Sequence, residues 1–162
     1  MELHLKWLAG LFLSLSFALV SNADTAPRFK KEKIELSYKN HKKVLTLDVA
    51  RSMNEHAYGL MNRTKMAADD GMIFIFNDES IREFWMKNTL IDLDIAYISS
   101  AKVIIDIQTM KAVTSVLQTN LPTYPSKGPA QYAVEMNSGW FKKNGFPVGT
   151  TLRLLSGPTS KK

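Results

Sequence analysis

Apolar residues in this chain gather in strand-length runs cut short by turn residues, and that spacing confines the core to short β-strands. The clearest case is Met72 to Phe76, an apolar run held between Asp69-Asp70-Gly71 and Asn77-Asp78-Glu79. A continuous run of that length suits a strand buried on both faces. Lys33 to Tyr38 and Lys43 to Ala50 alternate apolar with polar residues around the turn Lys39-Asn40-His41-Lys42, which predicts a hairpin. Glu83 to Met86, Leu93 to Ile98, Val103 to Gln108, Gln131 to Met136 and Val148 to Leu155 read as further strands. Helical signals are few. Ser52-Met53-Asn54-Glu55 matches a capping box, in which the Ser hydroxyl and the Glu carboxylate satisfy exposed backbone donors. Met53, Ala57, Leu60 and Met61 then fall on one helical face. A second short helix is predicted from Asn137 or Ser138 to Gly145, with Lys142 and Lys143 at its negative end. Pro122, Pro125, Gly128 and Pro129 make the stretch from Gln118 to Ala130 a long irregular loop. The expected fold is mainly β: a compact barrel-like or sandwich domain of about eight short strands with two small helices.

The first 23 residues follow the grammar of a secretory signal peptide. A polar start carrying Lys6 precedes an uncharged run from Trp7 to Val20, and small residues stand at Ser21 and Ala23. The run falls short of the roughly 20 apolar residues that span a bilayer. Cleavage would leave Asp24 as the new terminus, and the expected compartment is periplasmic or secreted. An uncleaved membrane anchor is the alternative; lipid attachment is excluded because the chain has no Cys. The expected organisation is a signal peptide over 1–23, a flexible basic lead-in over 24–32, one β-rich domain over 33–155 and a disordered tail over 156–162.

The formal net charge is +6, and loss of Glu2 and Lys6 with the leader leaves it unchanged. Nucleic acid is not the expected partner of an exported chain. A cell-envelope component or another exported protein is, with the domain itself a monomer, although Lys also serves simply for solubility and for guarding sheet edges. With no Cys, thiol catalysis, Cys-based zinc sites and iron–sulfur clusters are excluded. Only His41 and His56 lie beyond the leader, so one chain cannot supply three histidines to a metal. The methionines lack the dense spacing of copper carriers and read as core filler. No cofactor or metal is expected, and no G-x-S-x-G, H-E-x-x-H or Gly-rich phosphate loop occurs.

Four phrases occur in order: Gly59-Leu60-Met61-Asn62-Arg63, Gly71-Met72-Ile73-Phe74-Ile75-Phe76, Phe84-Trp85-Met86-Lys87-Asn88-Thr89 and Leu93-Asp94-Ile95. Together with Tyr124-Pro125-Ser126, the Tyr132–Glu135 strand, Gly139 and Val148-Gly149, they resemble a bacterial and archaeal family known as domain of unknown function 192. The resemblance runs from about Val44 to Leu155 and implies a compact β-rich fold and frequent export, without an established activity. Asp92 stands where the family usually has Pro, and Thr150 where Asp usually follows Val-Gly.

Trp85-Met86-Lys87-Asn88-Thr89 packs an aromatic, a cation, an amide and a hydroxyl between two strands, a mixture suited to a polar ligand with an apolar face such as a sugar or peptide. The alternative is that Trp85 and Met86 are core while Asn88-Thr89 shapes a turn. Asp94 lies on the strand face of Ala96 and Ile98, opposite Leu93, Ile95 and Tyr97, so both faces are apolar and the carboxylate needs a partner; Arg63 and Lys87 are the candidates. Such an Asp–Arg pair can be purely structural. The leading expectation is a non-catalytic binding or accessory module for a cell-envelope glycan or peptide, with a site of Arg63, Trp85, Lys87, Asn88, Thr89, Asp94, Tyr124 and Ser126. The second is a cell-wall glycan hydrolase using Asp94 and Glu135, two carboxylates that would need to lie about 5–9 Å apart. The third is a structural or interaction domain in which the motif is core packing.

Overall fold

The computed structural model describes residues 26–114 and 120–155. The expected signal peptide and C-terminal tail, and part of the Pro-rich loop, lie outside the described residues. The expectation of a mainly β fold holds. Among the described residues, nine strands and two short helices follow in the order β1 (Lys30–Tyr38), β2 (His41–Ala50), α1 (Met53–Tyr58), β3 (Gly71–Ser80), β4 (Glu83–Trp85), β5 (Leu93–Ile98), β6 (Ile104–Met110), β7 (Thr123–Pro125), β8 (Ala130–Asn137), α2 (Trp140–Lys143) and β9 (Thr151–Leu154).

Seven strands form one sheet in the order β6-β5-β8-β3-β2-β1-β9, and β4 pairs with β7 as a separate ribbon. The sheet curls until its ends meet at the Val103–Thr151 bridge, where Ile104 donates its N–H to Thr150 at 2.8 Å, but it does not close into a barrel. β1 and β2 form the expected hairpin, with Tyr38 opposite His41 across a two-residue turn whose Lys39 takes a left-handed φ of 52°. β1 starts at Lys30, inside the stretch expected as lead-in, because Lys30 to Lys33 pair with Val49 to Thr46.

β2 and β3 are parallel, and a parallel pair needs a crossover. α1 and the segment after it supply that crossover. Ser52 and Glu55 make the reciprocal capping box that starts the helix: Glu55 N–H donates to Ser52 Oγ, and Ser52 N–H donates to the Glu55 carboxylate at 2.8 Å. The Pro-rich loop holds the strand that sequence did not show. β7 is short, so Pro125 can sit at its end opposite Glu83 without losing a ladder bond.

The core divides by the two-residue period of the strands. Ile34, Leu36, Leu47, Val49, Ile73, Ala96, Ile98, Val134 and Met136 fill the concave face, closed by Trp140 and Phe141 of α2. Met72, Phe74, Leu93, Ile95, Tyr97 and Ala133 point the other way, where Leu60, Met86 and Phe84 cover them. β5 is buried along its whole length, which its apolar alternation on both faces had indicated. β3 and β8 approach closely at Gly71, where a side-chain methyl would run into the Glu135 carbonyl.

Candidate functional site

Two left-handed asparagines build the rim of a depression over the convex face of the sheet. α1 ends at Gly59, with a φ of 50°, and the chain dips inward through buried Leu60 before turning back at Asn62, with a φ of 63°. After β4, buried Met86 anchors a second loop that turns at Asn88, with a φ of 51°. Asn tolerates this conformation better than other non-Gly residues. Asn62 donates its backbone N–H to the Asn88 carbonyl at 2.8 Å, joining the two loops, and its side chain donates to the Tyr58 hydroxyl at 3.2 Å.

Burial of Met86 turns its neighbours outward. Trp85 is 49% exposed, and the Lys87 ammonium lies 5.5 Å from the centre of its ring. Thr89 is buried and donates its hydroxyl to the Lys87 carbonyl at 3.2 Å, which holds the loop's shape. Trp85, Lys87, Asn88, Tyr58, Asn62 and Asn54 line an open basin of about 240 Å³. Tyr58, Trp85 and Lys87 also line a smaller slot of about 30 Å³, whose walls include Glu135, Phe74, Phe84 and Thr89.

Glu135 is at the centre of a transverse row on the sheet: Asp48 on β2, Met72 on β3, Glu135 on β8 and Ile95 on β5 stand side by side. It is only 4% exposed. Burial pushes its carboxyl up to about 8, with the Arg63 charge opposing part of that rise. Arg63 itself donates to Asp48 Oδ2 at 2.6 Å, and Lys31 pairs with the other oxygen of Asp48 at 3.1 Å. Burial, assisted by the Glu135 charge, also holds the Tyr97 phenol well above its ordinary value.

Several expectations need correction. Asp94 is not paired with Arg63 or Lys87. It accepts from the Thr109 hydroxyl and from the Gly139 N–H, both at 2.8 Å, and so fixes the start of α2. Nor do Asp94 and Glu135 form a carboxylate pair. Ile95 stands opposite Glu135 and Met136 opposite Asp94, which sends the two acids to opposite faces and removes the geometry that paired-carboxylate hydrolysis requires. Asp94 borders a different cleft of about 630 Å³, walled by Tyr38, Ile107, Phe141, Phe146 and Val148.

Tyr124 and Ser126 brace the ribbon and do not line the basin. The Tyr124 carbonyl accepts from the Tyr97 hydroxyl, and its own hydroxyl accepts from the Lys111 N–H at 3.2 Å. Ser126 Oγ accepts from the Arg82 N–H at 3.0 Å and donates to Gly128 at 2.7 Å. Trp85, Lys87 and Asn88 line the basin, Trp85, Lys87 and Thr89 line the slot, and Arg63 lines neither but pairs with Asp48. Sequence reasoning missed Asp48, Tyr58 and Asn62. Asp48 carried a usable signal: Leu47 and Val49 assign one strand face, so Asp48 falls with Ala50 on the other.

Two solved structures share this architecture. A Sinorhizobium meliloti 1021 protein described as a candidate transcription regulator is 31% identical, with a TM-score of 0.69 over 78% of this chain and 95% of its own. A Novosphingobium aromaticivorans DSM 12444 protein of unknown function is 28% identical, with a TM-score of 0.69 over 77% of this chain and 86% of its own. No curated protein matches the chain. The DUF192 family, described as uncharacterized ACR, matches residues 35–154, which takes in every element of the fold except the start of β1. The chain belongs to the DUF192 family.

Proposed function

We propose that this chain is an exported binding module whose ligand, a cell-envelope glycan or peptide, lies in the basin between α1 and the Trp85–Thr89 loop. The observation that carries the reading is the half-exposed Trp85 face beside a basin lined by the amides of Asn54, Asn62 and Asn88. Large exposed aromatics are costly to leave in water, and one flanked by fixed amides suits a ring or peptide plane with polar edges. The Asn62–Asn88 hydrogen bond supports the same reading, because it sets the rim before any ligand arrives.

Export rests on the leader-like segment over residues 1–23. Transcription regulation, ascribed to the Sinorhizobium protein, is not carried over: α1 and α2 have six and four residues, too short to read a major groove.

The test is a titration of the mature protein with wall-derived disaccharides and short wall peptides, followed by isothermal calorimetry, which needs no reporter at Trp85. Binding that Trp85→Ala abolishes, in a variant that melts like the parent, supports the reading. Unchanged affinity in Trp85→Ala overturns it. For export, mass spectrometry of the protein recovered from an envelope fraction should give a chain beginning at Asp24; retention of the leader in the cytoplasmic fraction would refute that part.

A further inference from the structure

The other buried acids of this domain have partners. Asp48 has Arg63 and Lys31, Asp94 has Thr109 and Gly139, and Asp106 has Lys127 at 3.0 Å and Gln108 at 2.7 Å. Glu135 differs: among the described residues, no group donates a hydrogen bond to its carboxyl. Arg63, whose charge acts on it, is committed to Asp48, and Lys87 is held over Trp85. Among the described residues every sealed side-chain N or O has a hydrogen-bond partner, so the Glu135 oxygens are not shut in the core but open onto the slot they line, where a ligand can reach them.

The space beside it says what kind. The slot of about 30 Å³ is the size of one water or one ammonium head, too small for a sugar ring or a quaternary ammonium. Its walls include Phe74, Phe84 and Trp85, and aromatic faces attract cations. It shares Tyr58, Trp85 and Lys87 with the outer basin of about 240 Å³, which has room for the rest of a small ligand and amides to meet its polar atoms.

Resting on the binding reading above, we propose that the slot beside Trp85 receives a primary ammonium group of the ligand, which displaces the Glu135 proton to solvent and takes the carboxylate as its counter-ion. The ligand class is then narrowed to envelope molecules with a free amine. That chemistry has two sources, a de-N-acetylated amino sugar or the amino-acid side chain of a wall peptide. Lys87 at the mouth adds a preference for an acceptor or carboxylate on the body of the ligand.

The experiment compares free with capped amines on the full mature protein. Glucosamine is titrated against N-acetylglucosamine, and Nα-acetyl-lysine against Nα,Nε-diacetyl-lysine, with isothermal calorimetry as the readout. At least one free amine should bind about tenfold or more tightly than its capped counterpart, the loss expected of a charge-assisted bond. Glu135→Gln, which keeps the shape, should reduce that ratio to about twofold or less. The pair that shows the effect identifies the source. Capped and free amines binding equally, with Trp85→Ala still abolishing both, would overturn the ammonium site and leave the binding module standing. No binding of any probe to the unaltered protein would overturn both. The comparison on the unaltered protein needs no variant to fold.

Discussion

Asp94 and Glu135 occupy adjacent strands yet face away from each other, because Ile95 and not Asp94 stands opposite Glu135. One acid is tied down by two donors on the concave side. The other is bare at the foot of a slot on the convex side. Their substitutions should therefore act on different properties. Asp94→Ala orphans the Thr109 hydroxyl and the Gly139 N–H and should destabilise the fold by about 1–3 kcal/mol, leaving affinity in the basin unchanged. Glu135→Gln should lower affinity and leave stability nearly unchanged at acid pH, where the carboxyl is protonated in both folded and unfolded chains. Urea unfolding and ligand titration of the two single variants and the double variant check this, with near-additive stability changes expected.

Stability should fall as pH rises through the neutral range. Glu135 holds its proton up to about 8 when folded, against an ordinary value of 4.5, so between those limits the folded chain binds a proton that the unfolded chain has lost. Below the window both states are protonated and the contribution is fully present. Within it, stability drops by at most about 1.4 kcal/mol per pH unit, and above it the loss levels off. Carboxylates held low by partners, such as Asp92 by the Ala112 N–H and Lys111, change stability only at more acid pH. Urea midpoints of the parent should decline from about pH 5 to about pH 8, and Glu135→Gln should flatten the decline. A parallel decline in both proteins would assign it to other groups.

Arg63→Ala should destabilise by about 2 kcal/mol, since Asp48 is left with Lys31 alone while still largely buried. The same change removes the charge that holds Glu135 down, so the pH-dependent decline should extend to higher pH. Both effects read from one set of urea curves. Arg63→Met keeps much of the volume and should show the pH effect with less packing loss.

Asn88 offers a test of the preformed rim. Its φ of 51° suits Asn or Gly and opposes a β-branched residue. Asn88→Gly should keep the melting temperature within a few degrees, whereas Asn88→Val should cost on the order of 1–3 kcal/mol and weaken ligand binding by disturbing the Asn62–Asn88 bond. Thermal melts with a binding titration separate the two effects.

Much of the secondary structure was legible because its causes are local. The Ser52–Glu55 capping box needs only three residues of spacing, and it forms as read. Met72 to Phe76 lies within a strand whose first residues are buried on both faces, and Leu93, Ile95 and Tyr97 share a face as their alternation implied. The Trp85–Thr89 cluster was also visible, since adjacent residues stay together in any fold.

What sequence left open was always a matter of pairing. β7 was hidden in a Pro-rich loop because a three-residue strand exists only by its ladder with β4. Arg63 was assigned to the wrong acid because β2 passes beneath it, fifteen residues earlier in the chain, and only the parallel β2–β3 contact brings Asp48 there. The sequence by itself determined eight of the nine strands, the Ser52–Glu55 cap and which residues alternate along each of those strands, all set by backbone geometry within a few residues; α2 is capped by Gly139 and not by Asn137 or Ser138. Tertiary structure alone decided which face of the sheet each acid shares with which neighbour. Side chains alternate with a period of two, so a shift of one residue in register reverses every partner. That register placed Glu135 beside Trp85 and Asp94 behind the sheet.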